Sequence, residues 1–291
     1  VPAIAGVCHS HGAMLLVDSA HGAHFPFSPS LRHLVPREAD LYCVSAHKTL
    51  RAFTQTAVLH VTPGCPIPEG RIRRMLALIE TSSPSFLLMA SLEGALACAM
   101  DGEWAPHEAR ILAVRKRLEG IGGISLVQND DFTRLVIRVT DLGISGYEAA
   151  DALGAAGVIV EMADIASLVL TTAPADPDEW YERLYRVLLA LPHDKNGPIT
   201  PLYAPLPAGE RVLGVREACL GDGERVPLKD ATGRVAAGAA GIYPPGVATL
   251  FPGERITEEA ARLLLNASNA GAELFGVADG CAYCVKKEND I

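Results

Sequence analysis

The chain has 291 residues, 49% of them apolar and only 5% aromatic, and a formal net charge of −9. That length fits about two domains by the usual size prior, with enough apolar residues for a real core. The excess of acid excludes the basic stripe that nucleic acid requires, no run reaches the roughly 18 apolar residues of a membrane span, and no signal peptide is visible, so the expected compartment is the cytoplasm.

Residues Val1 to Cys8 read as a helix closed by His9-Ser10-His11-Gly12. Ala13 to Val17 is a continuous apolar run, the pattern of a central parallel strand buried on both faces. Leu41 to Val44 and Ala57 to Val61 are the next strands. The spacing of strand, crossover and strand indicates an α/β sheet, whose ligands sit beyond the carboxyl ends of the strands. Arg71 to Glu80 reads as a helix, Phe86 to Met100 as the next, Asp101 to Pro106 as a turn, and His107 to Leu118 as a third helix.

Ser125 to Val127 and Leu135 to Val139 then look like strands. Ser145 opens a helix with a capping-box pattern that runs to Ala156. Val158 to Glu161 and Leu168 to Thr171 read as strands, and Asp176 to Leu191 as an amphipathic helix with Pro177 at its start. The Pro-rich stretch from His193 to Pro207 reads as a linker. Beyond it come a short helix at Val215 to Leu220, turns at Tyr243-Pro244-Pro245-Gly246 and Pro252-Gly253-Glu254-Arg255, and a helix from Thr257 to Ala270. The expected domains are 1–102, 103–196 and 197–291.

Seven Cys are scattered, an odd number in a long chain, which argues against a disulfide framework. Cys281-x-x-Cys284 has half of a zinc spacing and no second pair, so it reads as two small residues on a strand. Seven of the nine His fall within the first sixty residues. His21-Gly22-Ala23-His24 has a spacing that can ligate zinc, but no carboxylate or Cys completes the set, so no metal is expected. A hydrogen-bonding or aromatic role for His21 is the alternative.

Asp18 ends the first strand and Lys48 follows the second. An acid and an amine at one end of a sheet are what pyridoxal phosphate needs, the acid for its pyridinium nitrogen and the amine for a Schiff base. Ser45, His47 and Thr54-Gln55-Thr56 form a polar patch suited to a phosphate. Alone, a Lys after a strand is usually a solvated charge, and an acid at a strand end often caps a turn.

Five collinear motifs carry a family resemblance. Asp18-Ser19-Ala20-His21-Gly22-Ala23-His24-Phe25 resembles the Asp-x-Ala-His-Gly-Ala-His-Phe segment of the Orn/Lys/Arg decarboxylases, fold type I pyridoxal-phosphate enzymes acting on basic amino acids. Ser45-Ala46-His47-Lys48 is similar to their lysine segment, and Thr81-Ser82-Ser83-Pro84-Ser85 to their Ser-Ser-Pro-Ser stretch. Val160-Glu161-Met162-Ala163-Asp164 resembles a small-domain strand, and Tyr243-Pro244-Pro245-Gly246 with Pro252-Gly253-Glu254 the separate C-terminal domain. Ala46 stands where Thr is common, and Ser19 where Glu is frequent.

The resemblance implies an α/β fold: the C-terminal part of an aspartate aminotransferase-like, pyridoxal-phosphate-binding large domain, a small α/β domain, and a C-terminal α+β domain. It implies decarboxylation of arginine, lysine or ornithine to an amine that feeds polyamine synthesis. Lys48 would hold the cofactor, Asp18 would pair with its ring nitrogen, and Ala20 would pack on the ring beside His21. Ser45 and His47 would contact the phosphate, and Thr81 the phosphate of a neighbouring subunit, making a homodimer or higher oligomer. The substrate's distal cation needs an acid, for which Glu254 is the first candidate and Glu161 the second. The family's preceding strands and phosphate loop lie before the point where this sequence starts, so a partial chain with exposed sheet edge and apolar surface is expected. The alternatives are another fold type I enzyme, such as an aminotransferase or lyase, or a fragment inactive by itself.

Overall fold

The computed structural model describes residues 1–192 and 207–286. The expected linker, all but Pro207, and the boundary at 196 lie outside the described residues. Two compact units divide the chain. One holds Val1–Lys116 with Asn129–Arg134 and Thr172–Pro177; the other holds Arg117–Gln128, Leu135–Thr171 and the remainder from Asp178.

The first unit opens with α1 (Pro2–Ser10), whose Pro2 sits in the first turn, where a missing N–H costs nothing. Strands β1 (Leu16–Asp18) and β2 (Leu41–Ser45) run parallel with Asp18 opposite Cys43, and β3 (Ala57–Val61) adds to β2 antiparallel. Asp40 fixes the entry to β2. Its Oδ2 accepts from Leu15 N at 2.8 Å and lies 3.0 Å from His9 Nε2, and the Leu15 amide first, then His9, holds the carboxyl below its ordinary range.

The expected strand buried on both faces is not what forms here. Leu16 is 66% exposed, Val17 is half-buried, and β1 is an edge of its three-stranded sheet. Exposed apolar surface continues on Ile4, Val7, Leu78, Ile79 and Phe86.

Next in chain order are α2 (Ala46–Thr49), α3 (Glu69–Leu76), α4 (Phe86–Met100) and α5 (Trp104–Leu118). Helix α3 stops short of Glu80 in a tightened turn, in which Leu78 N and Ile79 N bond three residues back. The expected turn through Pro106 is instead the start of α5, because a Pro in the first turn removes an N–H that has no helical partner. Inside this unit His107 is buried. Arg110 Nη2 donates to its Nδ1 at 3.1 Å and its Nε2 faces Thr172 Oγ1 at 3.1 Å. Fully buried His24 stacks on Trp104 and lies 3.2 Å from Asp131.

The second unit carries β4 (Ser125–Leu126), β5 (Arg134–Arg138, from its second residue), α6 (Gly146–Ala155), β6 (Met162–Ala163), β7 (Ser167–Thr171) and α7 (Asp178–Leu189). The sheet order is β4-β5-β7-β6. The capping box forms: Ser145 Oγ accepts from Glu148 N while Glu148 Oε2 accepts from Ser145 N at 2.7 Å. The strand expected at Val158 to Glu161 lies further on. Gly157 turns the chain at φ +77°, and pairing with Val169 and Leu168 picks out Met162 and Ala163.

The same unit continues with α8 (Val215–Leu220), β8 (Gly223–Pro227), β9 (Ala240–Tyr243), β10 (Ala248–Leu250), α9 (Glu258–Asn269), β11 (Glu273–Phe275), β12 (Val277–Ala278) and β13 (Cys281–Val285). They form sheets β10-β9-β11 and β12-β13-β8. A core of Leu228, Leu250, Ile256, Leu264 and Cys284 fills this part. Cys281 and Cys284 do lie on a strand, and burial raises the Cys284 thiol pKa.

Candidate active site

The parallel register decides the geometry. Asp18 ends β1 and Ser45 ends β2, so both chains leave the sheet on one side, and α2 carries His47 and Lys48 directly beyond. Asp18 is exposed. Its Oδ1 accepts from Ala20 N at 3.0 Å and from Cys43 Sγ at 3.7 Å, and its Oδ2 has no partner among the described residues. Ser45 N donates to the Ala20 carbonyl at 3.1 Å, which ties the two strand ends together.

Lys48 is exposed, and its Nζ stands 3.5 Å from His21 Nε2. Arg134 Nη2 donates to His21 Nδ1 at 3.1 Å. A guanidinium only donates, so Nδ1 accepts and the neutral ring carries its proton on Nε2, facing the amine. His47 Nδ1 lies 3.0 Å from the Thr56 carbonyl, which can only accept, so that nitrogen is protonated and Nε2 is left for another group.

A cavity of about 100 Å³ adjoins these residues, lined by Lys48, Thr49, Arg51, Glu103 and Trp104. Thr49 Oγ1 and Trp104 Nε1 are buried there without hydrogen-bond partners among the described residues. Sequence reasoning missed Arg134, Thr49 and Trp104. No local signal could have found Arg134, which is 113 residues from His21.

Three further expected residues, Thr81, Glu254 and Glu161, have the following local surroundings. Thr81 is exposed, and its Oγ1 accepts from Ser83 N at 3.2 Å. In the second unit, Glu254 Oε1 pairs with Arg211 Nη2 at 3.6 Å, whereas Glu161 is exposed and has no ion pair among the described residues.

The chain has an α/β fold of the fold type I, aspartate aminotransferase-like class. Solved structures share it. The constitutive lysine decarboxylase of E. coli superposes with TM-score 0.71 at 18% identity, covering 93% of this chain and 54% of that one. The Francisella novicida lysine decarboxylase LdcF gives TM-score 0.69 at 19% identity, covering 92% and 53%.

Family models for the major domain and the C-terminal domain of Orn/Lys/Arg decarboxylase match residues 2–125 and 209–278, and the chain belongs to that family. An arginine decarboxylase of Bacillus subtilis is 29% identical over 97% of this chain and 61% of its own length. One of Halalkalibacterium halodurans is 30% identical over 95% and 60%. The chain thus spans about three fifths of the length of these relatives.

Proposed function

We propose that the protein serves a pyridoxal-phosphate-dependent decarboxylation of arginine, lysine or ornithine, in which the Cα–carboxylate bond breaks and a proton takes its place. The resulting amine would enter polyamine synthesis in the cytoplasm. The observation that carries this reading is the delivery of Asp18 and Lys48 to one side of a parallel strand pair. The curated relatives named arginine decarboxylase support it.

The residues fit the cofactor. Lys48 offers an exposed amine, Asp18 an oxygen without a partner, and His47 a nitrogen left over from its Thr56 bond. Bound there, pyridoxal phosphate supplies the sink for the electron pair released as carbon dioxide leaves. Lys48 Nζ holds the cofactor covalently. The Asp18 carboxylate keeps the proton on the ring nitrogen. Ala20 would pack on the ring beside His21. Ser45 and His47 would contact the phosphate. Thr81 reaches the phosphate of a second subunit, so the working unit is at least a homodimer. Between the two acids, Glu161 is the one we assign to the substrate's distal cation, because Arg211 already pairs with Glu254. We retain 1–102, 103–196 and 197–291 as the domains.

Titration with pyridoxal phosphate under visible absorbance, then borohydride trapping and mass mapping, is expected to label Lys48. Carbon dioxide release from arginine, lysine and ornithine then identifies the substrate. Transamination without carbon dioxide would overturn the decarboxylase reading.

A further inference from the structure

Two histidines three residues apart meet two charged residues three residues apart. His24 Nε2 lies 3.2 Å from Asp131 Oδ1, and Arg134 Nη2 donates to His21 Nδ1 at 3.1 Å. All four residues belong to the first unit. The contacts join the turn after Asp18 to segment 129–134 at two points, across 107 and 113 residues of sequence.

One carboxylate oxygen both shapes the segment and grips the turn. Asp131 Oδ1 also accepts from Thr133 N at 3.0 Å and from Thr133 Oγ1 at 2.7 Å, which folds the chain back just before Arg134. Arg134 N closes the same bend on the Asp131 carbonyl at 3.0 Å. Burial pushes the Asp131 carboxyl up, but the His24 and Thr133 hydrogen bonds and the Arg134 charge together hold it below its ordinary range. An ionised carboxylate only accepts, so His24 donates from Nε2.

His24 has little freedom on its other sides. It is fully buried, stacks on Trp104 with ring centroids 5.0 Å apart, and lies 4.8 Å from the Phe25 ring. The turn that carries it is equally close-packed. Gly22 N donates to the Ser19 carbonyl at 2.7 Å and Phe25 N to the Gly22 carbonyl at 3.1 Å. A Cβ added at Gly22 would lie 2.9 Å from the Phe25 ring. A shift of His24 is therefore passed along the turn to His21 and Ala20.

A buried histidine paired with an acid is most often a core contact. The place of this one says more. His21 faces Lys48 Nζ at 3.5 Å, and Asp18 starts the same turn, its Oδ1 accepting from Ala20 N. We propose that Asp131, through His24, and Arg134, through His21, are positioning residues that hold the turn after Asp18 in the form that receives the cofactor ring. The inference rests on the cofactor reading above, and it requires neither Asp131 nor Arg134 to touch the cofactor.

Nitrogen-15 NMR of the histidine rings in the cofactor-free protein tests the geometry without any variant. His24 and His21 are both expected as Nε2–H tautomers at neutral pH, and a His24 ring protonated on Nδ1 alone would overturn the clamp. Absorbance titration with pyridoxal phosphate tests the consequence. Asp131→Ala and His24→Phe should each weaken binding about tenfold or more, and the double variant no further than either, because both remove one contact. Asp131→Asn keeps an accepting oxygen and should stay within about threefold of the wild type. In Asp131→Ala the His21 ring should also lose its single tautomer, a signal that a merely structural role in the core would not move. Thermal melts establish that each variant is folded. If Asp131→Ala is not, His24→Phe carries the same expectations, since it keeps a ring against Trp104. Unchanged binding in a folded variant, losses that add in the double variant, or a His21 tautomer that persists would each overturn the inference. Absence of an imine band in the wild-type chain would instead overturn the proposed function, while the ring tautomers still decide the clamp.

Discussion

His21 Nε2 stands 3.5 Å from Lys48 Nζ, with the other ring nitrogen accepting from Arg134. The Arg134 guanidinium thus orients the ring toward Lys48. Such a hydrogen bond has a net worth of ~0.5–1.5 kcal/mol, so Arg134→Met is expected to destabilise the protein by about that amount. Denaturant melts read the effect, and an unchanged midpoint would refute the contact.

His107 sets a pH dependence of stability. Burial first, and then the Arg110 guanidinium, lowers its pKa to about 4. The ring stays neutral in the fold, while the unfolded chain takes up its proton from about pH 6.5 downwards. Stability from this group is complete above pH 6.5 and is lost as pH falls toward 4, by roughly 3 kcal/mol in all. His107→Gln should flatten that part of the curve. Denaturant melts between pH 7 and 4.5 check it, and parallel curves for both proteins would sink the idea.

What the sequence made legible was local. Helix α4 runs from Phe86 to Met100 as expected because Ser85 caps it and accepts from Leu88 N. The Ser145 capping box was equally readable, since both partners lie within four residues. The placement of Asp18 and Lys48 at the ends of β1 and β2 was legible because apolar runs precede both. Burial was not: the apolar run at Ala13 to Val17 reports a preference, and Leu16 stays exposed because β1 is a sheet edge in this structure. The β6 boundary depends on which residues face Val169 and Leu168, and Arg134 reaches His21 only through the fold. Such pairings carry no periodic signal.

Gly146 is a tight local constraint at the start of α6. It is the first residue of α6, and an added Cβ would collide with the backbone carbonyl oxygens of Asp164 and Ser167. Two backbone atoms cannot rotate aside as a side chain can. Gly146→Ala should therefore cost about 2–3 kcal/mol although Ala is the better helix former. Gly154, with nothing within 4 Å of such a Cβ, is the control, and Gly154→Ala should be neutral or stabilising. Comparable melting points for the two variants would show that the turn before β7 yields.

Glu161 and Glu254 can be separated kinetically. Arg211 already compensates Glu254, whose side chain is 18% exposed, so drawing it to a substrate cation breaks an existing pair. Glu161 is exposed and has no such pair to lose. A charged hydrogen bond contributes about 1.5–3 kcal/mol, which is roughly 10- to 100-fold in binding. In the decarboxylating holoenzyme we expect Glu161→Gln to raise KM for the basic amino acid by about tenfold or more, with kcat changing less. Glu254→Gln should instead leave KM within about threefold and lower the melting temperature, because it leaves Arg211 without its acid. The opposite pattern would transfer the cation contact to Glu254, and an unchanged KM in both variants would remove it from either residue.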